Sequence, residues 1–106
     1  MSTRATIAYE NPDGSFHATY LRFDGYPEHA GVILDHHYNS IEKAKTLVAG
    51  GELRSLNPSD GAPEYFPRAR ATRHLCDRGS LMKFAHNCDA NFLYVFKGEH
   101  WQCHKL

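Results

Sequence analysis

The chain has 106 residues, 42% hydrophobic and 23% charged, enough for one core and outside the disordered, collagenous and coiled-coil classes. No apolar run approaches the roughly 18 residues that span a bilayer, and the opening Met1-Ser2-Thr3-Arg4-Ala5-Thr6-Ile7 lacks an apolar signal core. Formal net charge is zero and three cysteines argue against a disulfide scaffold, so one cytoplasmic domain over residues 1–106 is expected.

The N-terminus reads as a β-hairpin. Ala5, Ile7 and Tyr9 alternate with Arg4, Thr6 and Ala8, the period of a half-buried strand. Asn11-Pro12-Asp13-Gly14 supplies a type I turn, proline fixing one φ and glycine taking the left-handed exit. A second strand is predicted over 16–23, where aromatic and β-branched residues concentrate. Asp24-Gly25-Tyr26-Pro27 breaks it, and a helix is predicted from Glu28 with Ala30, Ile33, Leu34 and His37 at helical spacing. Ser40 reads as the N-cap of another helix, its stripe formed by Ile41, Ala44, Leu47 and Val48. Gly50-Gly51 ends it.

Residues 56–67 hold three prolines and a glycine and read as a long loop, a segment that is often functional or mobile. An edge strand is expected within 69–76, and Ser80 reads as the cap of a short helix carrying Leu81, Phe84, Ala85 and Cys88 on one face. A second hairpin closes the chain, 92–96 and 100–104 about Lys97-Gly98-Glu99. The expected fold is therefore α+β: an antiparallel sheet built from the two terminal hairpins, packed against two or three short helices.

Charge is unevenly placed. Residues 1–66 hold five Lys/Arg against nine Asp/Glu, whereas 67–106 hold seven against three, with Arg68, Arg70, Arg73 and Arg78 close together. Such a run can meet an anionic partner, although the zero net charge argues against a grip on duplex nucleic acid. The plainer alternative is that the acidic half folds over the basic half.

Histidine and cysteine also cluster late in the chain. His74, Cys76, His100 and His104 are the strongest potential zinc ligands, His74 and Cys76 sharing one face of a strand and His100 and His104 another. No Cys-x-x-Cys or one-turn His pair accompanies them, so buried thiols and surface imidazoles are the preferred reading and no cofactor is expected. Asp35-His36-His37 is read as a helix end, and no glycine-flanked nucleophile or phosphate loop is present.

The segment from Arg22 to His29 gathers cationic, acidic, aromatic and imidazole groups at a rigid bend. Arg22, Asp24, Tyr26 and His29 could together recognise an anionic planar ligand such as a nucleotide. A purely structural corner, with Tyr26 packed and Asp24 capping, is the competing account.

Arg4-Ala5-Thr6-Ile7, Asn11-Pro12-Asp13-Gly14-Ser15, Asp24-Gly25-Tyr26-Pro27-Glu28-His29, His37-Tyr38-Asn39, Glu42-Lys43 and Leu53-Arg54-Ser55-Leu56 carry a likeness over residues 4–56. On these stretches the chain resembles a family of small bacteriophage- and prophage-encoded proteins, whose members commonly carry Trp where this chain has Phe23. The resemblance implies an accessory protein acting inside a bacterial cell, and no particular reaction. The leading expectation is non-enzymatic binding of a host protein, to inhibit a host defence system. Tyr26, His29, the 57–67 loop and the Arg68–Arg78 run are the expected contact points. The alternatives are a nucleotide-sequestering protein, with Arg and aromatic groups at a homo-oligomer interface, and a small zinc-dependent enzyme or zinc-binding module.

Overall fold

A computed structural model describes residues 3–67 and 72–106. The chain runs β1 (Ala5–Glu10), β2 (Phe16–Leu21), a π-turn (Pro27–Gly31), α1 (Val32–His37), α2 (Ile41–Ala49) and β3 (Leu53–Leu56). It continues through β4 (Pro63–Tyr65), β5 (Arg73–Leu75), α3 (Arg78–Asn87), β6 (Phe92–Lys97) and β7 (His100–Lys105). All seven strands join one mixed sheet in the order β4-β3-β2-β1-β6-β7, with β5 pairing β2.

Both expected hairpins form. The Asn11 turn closes through Gly14 N–H to the Asn11 carbonyl at 3.0 Å, with Gly14 at φ +86°. The hairpins meet edge to edge, and there the expectation of a purely antiparallel sheet is corrected. β1 lies parallel to β6, Ile7 opposite Tyr94, so each is an interior strand buried on both faces. From Thr6 to Tyr9 the alternation in β1 is not apolar against polar but small against large. Ile7 and Tyr9 face one core, while Thr6 and Ala8, both fully buried, leave room on the other.

Each face of the sheet has its own cover. Ala5, Ile7, Leu21, Leu53, Tyr94 and Phe96 pack beneath the π-turn, α1 and α2. On the opposite face Ala8, Phe16, Ala18, Leu93 and Val95 pack against Leu81 of α3. Burying such a side chain contributes about 1.5–3 kcal/mol, so the two interior strands anchor the molecule.

Three further expectations change. Leu53-Arg54-Ser55-Leu56 forms β3, parallel to β2 at Leu21, and Pro63–Tyr65 within the expected loop forms β4 against it. The helix expected at Glu28 opens as a π-turn, its α-helical part starting at Val32. Asp77, not Ser80, caps α3: its carboxylate accepts the Ser80 N–H at 2.8 Å, which pulls the Asp77 pKa down. The expected strand within 69–76 is present at Arg73–Leu75, and its earlier part lies outside the described residues.

Candidate functional site

β2 leaves the sheet at Leu21, but Arg22 and Phe23 still donate their N–H groups to the Leu53 and Arg54 carbonyls at 3.0 Å each. The chain then turns sharply. Asp24 adopts φ +57°, a left-handed conformation that costs most residues about 1 kcal/mol and that Asp tolerates better than most. Gly25 follows because nothing larger fits: a Cβ there would lie 2.8 Å from the Ala5 Cβ and 3.0 Å from the Thr3 carbonyl oxygen. Its N–H bonds Thr3 at 2.9 Å and its carbonyl accepts the buried Tyr94 hydroxyl at 2.7 Å. Burial also pushes the Tyr94 phenol pKa well up, so that hydroxyl keeps its proton.

Pro27 sets the start of the π-turn, an uncommon helical form often found at functional positions. Tyr26, its cap, is 38% exposed as a residue, with its ring 5.8 Å from the His29 ring. His29 donates from Nε2 to the Leu56 carbonyl at 3.1 Å, which ties the corner to β3. The cap position is that of Tyr26 and carries no side-chain cap bond, so among the described residues the capping expected of Asp24 is not seen.

The loop between β3 and β4 forms the facing wall. Asn57 accepts the Ser59 N–H on Oδ1 at 2.8 Å and the Gly61 N–H on its carbonyl at 2.8 Å. Asp60 accepts the Ala62 N–H at 2.9 Å, and the Tyr38 hydroxyl donates to the Gly61 carbonyl at 2.6 Å. These bonds make the loop a closed and anchored ring of backbone. Between it and the corner lies a groove of about 510 Å³ whose walls include Asp24, His29, Ser55, Asn57 and Glu64.

Beside the groove, the Arg22 and Arg54 guanidinium groups stand 5.3 and 5.8 Å from the centre of the Phe23 ring. Arg54 also pairs with Glu64 at 3.4 Å. The arrangement is a part-buried aromatic ring with two cations over it, next to a rim that carries carboxylates. Of the four residues expected here, Asp24 and His29 line the groove, Tyr26 stands by the His29 ring, and Arg22 lies over Phe23. Sequence reasoning did not pick out Arg54 or Glu64, because only the β2–β3 and β3–β4 pairings carry them to the corner.

The other expected residues lie elsewhere. Arg68 and Arg70 fall outside the described residues. Arg73, on β5, stands 5.7 Å from the Phe84 ring and lines a separate cavity of about 320 Å³ with Tyr20 and Asn87. Of the four residues offered for zinc, His74 joins a ring stack, 5.0 Å from His17, which itself stacks on Tyr9 at 5.2 Å. Cys76 lies past the end of β5 and is exposed, and His100 is exposed at the tip of the last hairpin. His104 accepts a hydrogen bond from Arg78 at 3.0 Å; burial and that cation hold its pKa down. Among the described residues no group of three or more His, Cys, Asp or Glu side chains is arranged to hold a metal ion.

His74 also donates from Nε2 to the Ser15 hydroxyl oxygen at 3.1 Å, while that hydroxyl donates to Asp13 at 2.6 Å. The serine proton therefore points at a carboxylate and the imidazole serves as donor, the reverse of an activated nucleophile. This cluster pins β5 to β2.

Comparison of the chain with protein-family models, with curated proteins and with solved structures finds no match in any of the three.

Proposed function

We propose that this chain is a phage- or prophage-type accessory protein that works by binding, and that its recognition face is the Arg22–His29 corner with the β3–β4 loop. A host protein is the partner we assign to that face, with inhibition of a host defence system as its purpose. The observation that carries the reading is preorganisation. An exposed tyrosine, two arginines and a groove are held by a backbone fixed at Gly25, Leu56 and Gly61. Rigid aromatic and Arg groups bind with little ordering cost, and such residues dominate protein-binding hot spots.

Affinity capture from bacterial lysate tests this. Wild-type protein should retain one partner in stoichiometric amount, and the Tyr26→Ala and Arg54→Ala variants should lose it with their melting temperatures unchanged. Capture that is indifferent to both substitutions would sink the assignment.

A second reading rests on Phe23. Arg22 and Arg54, which both stand over that ring, put two cations side by side where phosphate could meet them, which makes sequestration of a nucleotide the alternative use of the same corner. Under it, a nucleotide or cyclic dinucleotide raises the melting temperature of the wild type and not of Arg54→Ala. No shift across a nucleotide panel removes this reading and leaves the first intact.

A further inference from the structure

β7 ends the sheet on its side, and among the described residues nothing pairs with its outer edge. Its register against β6 is regular throughout, from Lys97 opposite His100 to Phe92 opposite Lys105. Just beyond the strand, the Leu106 N–H donates to the Asn91 carbonyl at 2.9 Å, so even-numbered residues turn their backbone groups toward β6. Trp101, Cys103 and Lys105 consequently present their N–H and C=O groups outward.

Such an edge is a template for another strand, and proteins usually blunt it with proline, a bulge or short length. The far edge of this sheet is blunted: β4 has three residues and begins with Pro63. β7 has six residues, no proline and no bulge.

We propose that β7 pairs antiparallel with β7 of a second copy of this chain, about a two-fold axis at Cys103. The register follows from counting backbone groups. With Cys103 opposite its own copy, Trp101 meets Lys105 of the second copy and Lys105 meets Trp101. Every outward-facing residue then meets another, giving roughly six backbone hydrogen bonds. Moving the axis to Gln102 sets Lys105 against the turn residue Glu99 and loses bonds at both ends.

Side chains agree with that register. It brings no two like charges face to face, and it lays Lys105 across the Trp101 ring of the other copy. Glu28 belongs to the π-turn beside β7, so the element next to this edge brings a carboxylate to the side where the second copy's Lys105 arrives. Val32, 49% exposed, opens α1, which packs against β7. The π-turn packs against β7 as well, so pairing would carry two recognition corners on one assembly.

Sedimentation equilibrium tests the pairing. Wild type should sediment at twice the 12.0 kDa chain mass. The Cys103 N–H faces outward, so Cys103→Pro removes no bond to β6 and should weaken dimerisation by roughly 100-fold, with the far-UV spectrum unchanged. A monomeric wild type, or a dimeric folded Cys103→Pro, overturns the proposal. Should the proline variant fail to fold, a short bismaleimide decides, each maleimide adding one thiol across its carbon–carbon double bond. It should join two copies of a Cys76→Ser/Cys88→Ser variant through Cys103 and leave a Cys88→Ser/Cys103→Ser variant uncoupled. Equal coupling of both variants, or none of the first, also overturns it.

Discussion

At the scale of single residues, the corner depends on an atom that is absent. Gly25 has an ordinary negative φ, so its requirement is space: a Cβ would press on the Ala5 side chain and the Thr3 carbonyl. Gly25→Ala is expected to destabilise the fold by about 2 kcal/mol, read from urea midpoints, because both neighbours belong to the interior β1 or its entry. His17 makes a pH-dependent contribution. Burial lowers its pKa from 6.5, with the neighbouring His74 and then Lys45 acting in the same direction and Asp13 against. A depressed folded pKa means stabilisation that is complete above the unfolded value and lost as pH falls through the folded one. Stability should therefore drop between pH 7 and 5, and His17→Gln should reduce that slope. An unchanged slope in the variant would show that His17 has no part in it.

Among the elements, the β3–β4 loop is the one whose character changes most between sequence and fold. Its prolines and glycine signal irregular backbone, and the hydrogen bonds of Asn57, Asp60 and Tyr38 make that backbone rigid. Burial first, then the nearby Tyr65 and Asp60, pushes the Tyr38 pKa up to about 12, which keeps its hydroxyl protonated as a donor to Gly61. Tyr38→Phe should cost about 1 kcal/mol. It should also speed amide exchange at Gly61 and Ala62 more than at Leu53, since the loop loses its anchor while the strand keeps its ladder. Equal acceleration everywhere would mean the loop is not held by Tyr38.

For the molecule as a whole, two cores share one sheet. β1 and β6 contribute alternate residues to both, Ile7 and Tyr94 to one, Ala8 and Val95 to the other. The two cores are therefore expected to open together. Unfolding at fixed protein concentration should thus be a single transition, with far-UV ellipticity and Trp101 fluorescence coinciding. Separated midpoints would show that α3 melts from its face independently.

Local chemistry alone determined the two hairpins, the helix capped by Ser40 and the proline-glycine bend at the corner. Each is specified by residues within a few positions of one another: Asn11 to Gly14, Ser40 to Lys43, Asp24 to Pro27. Likewise Arg22, Asp24, Tyr26 and His29 are near neighbours in the chain, so their grouping was legible. Tertiary structure decided what distant segments do to each other. β1 pairs with β6 across more than eighty residues, β3 finds β2 after two helices, and Arg54 and Glu64 reach the corner only through that pairing. Parallel neighbours carry no turn signal, and a four-residue strand such as Leu53–Leu56 is too short to announce its period. Its hydrogen bonds exist only once the partner strand is already in place.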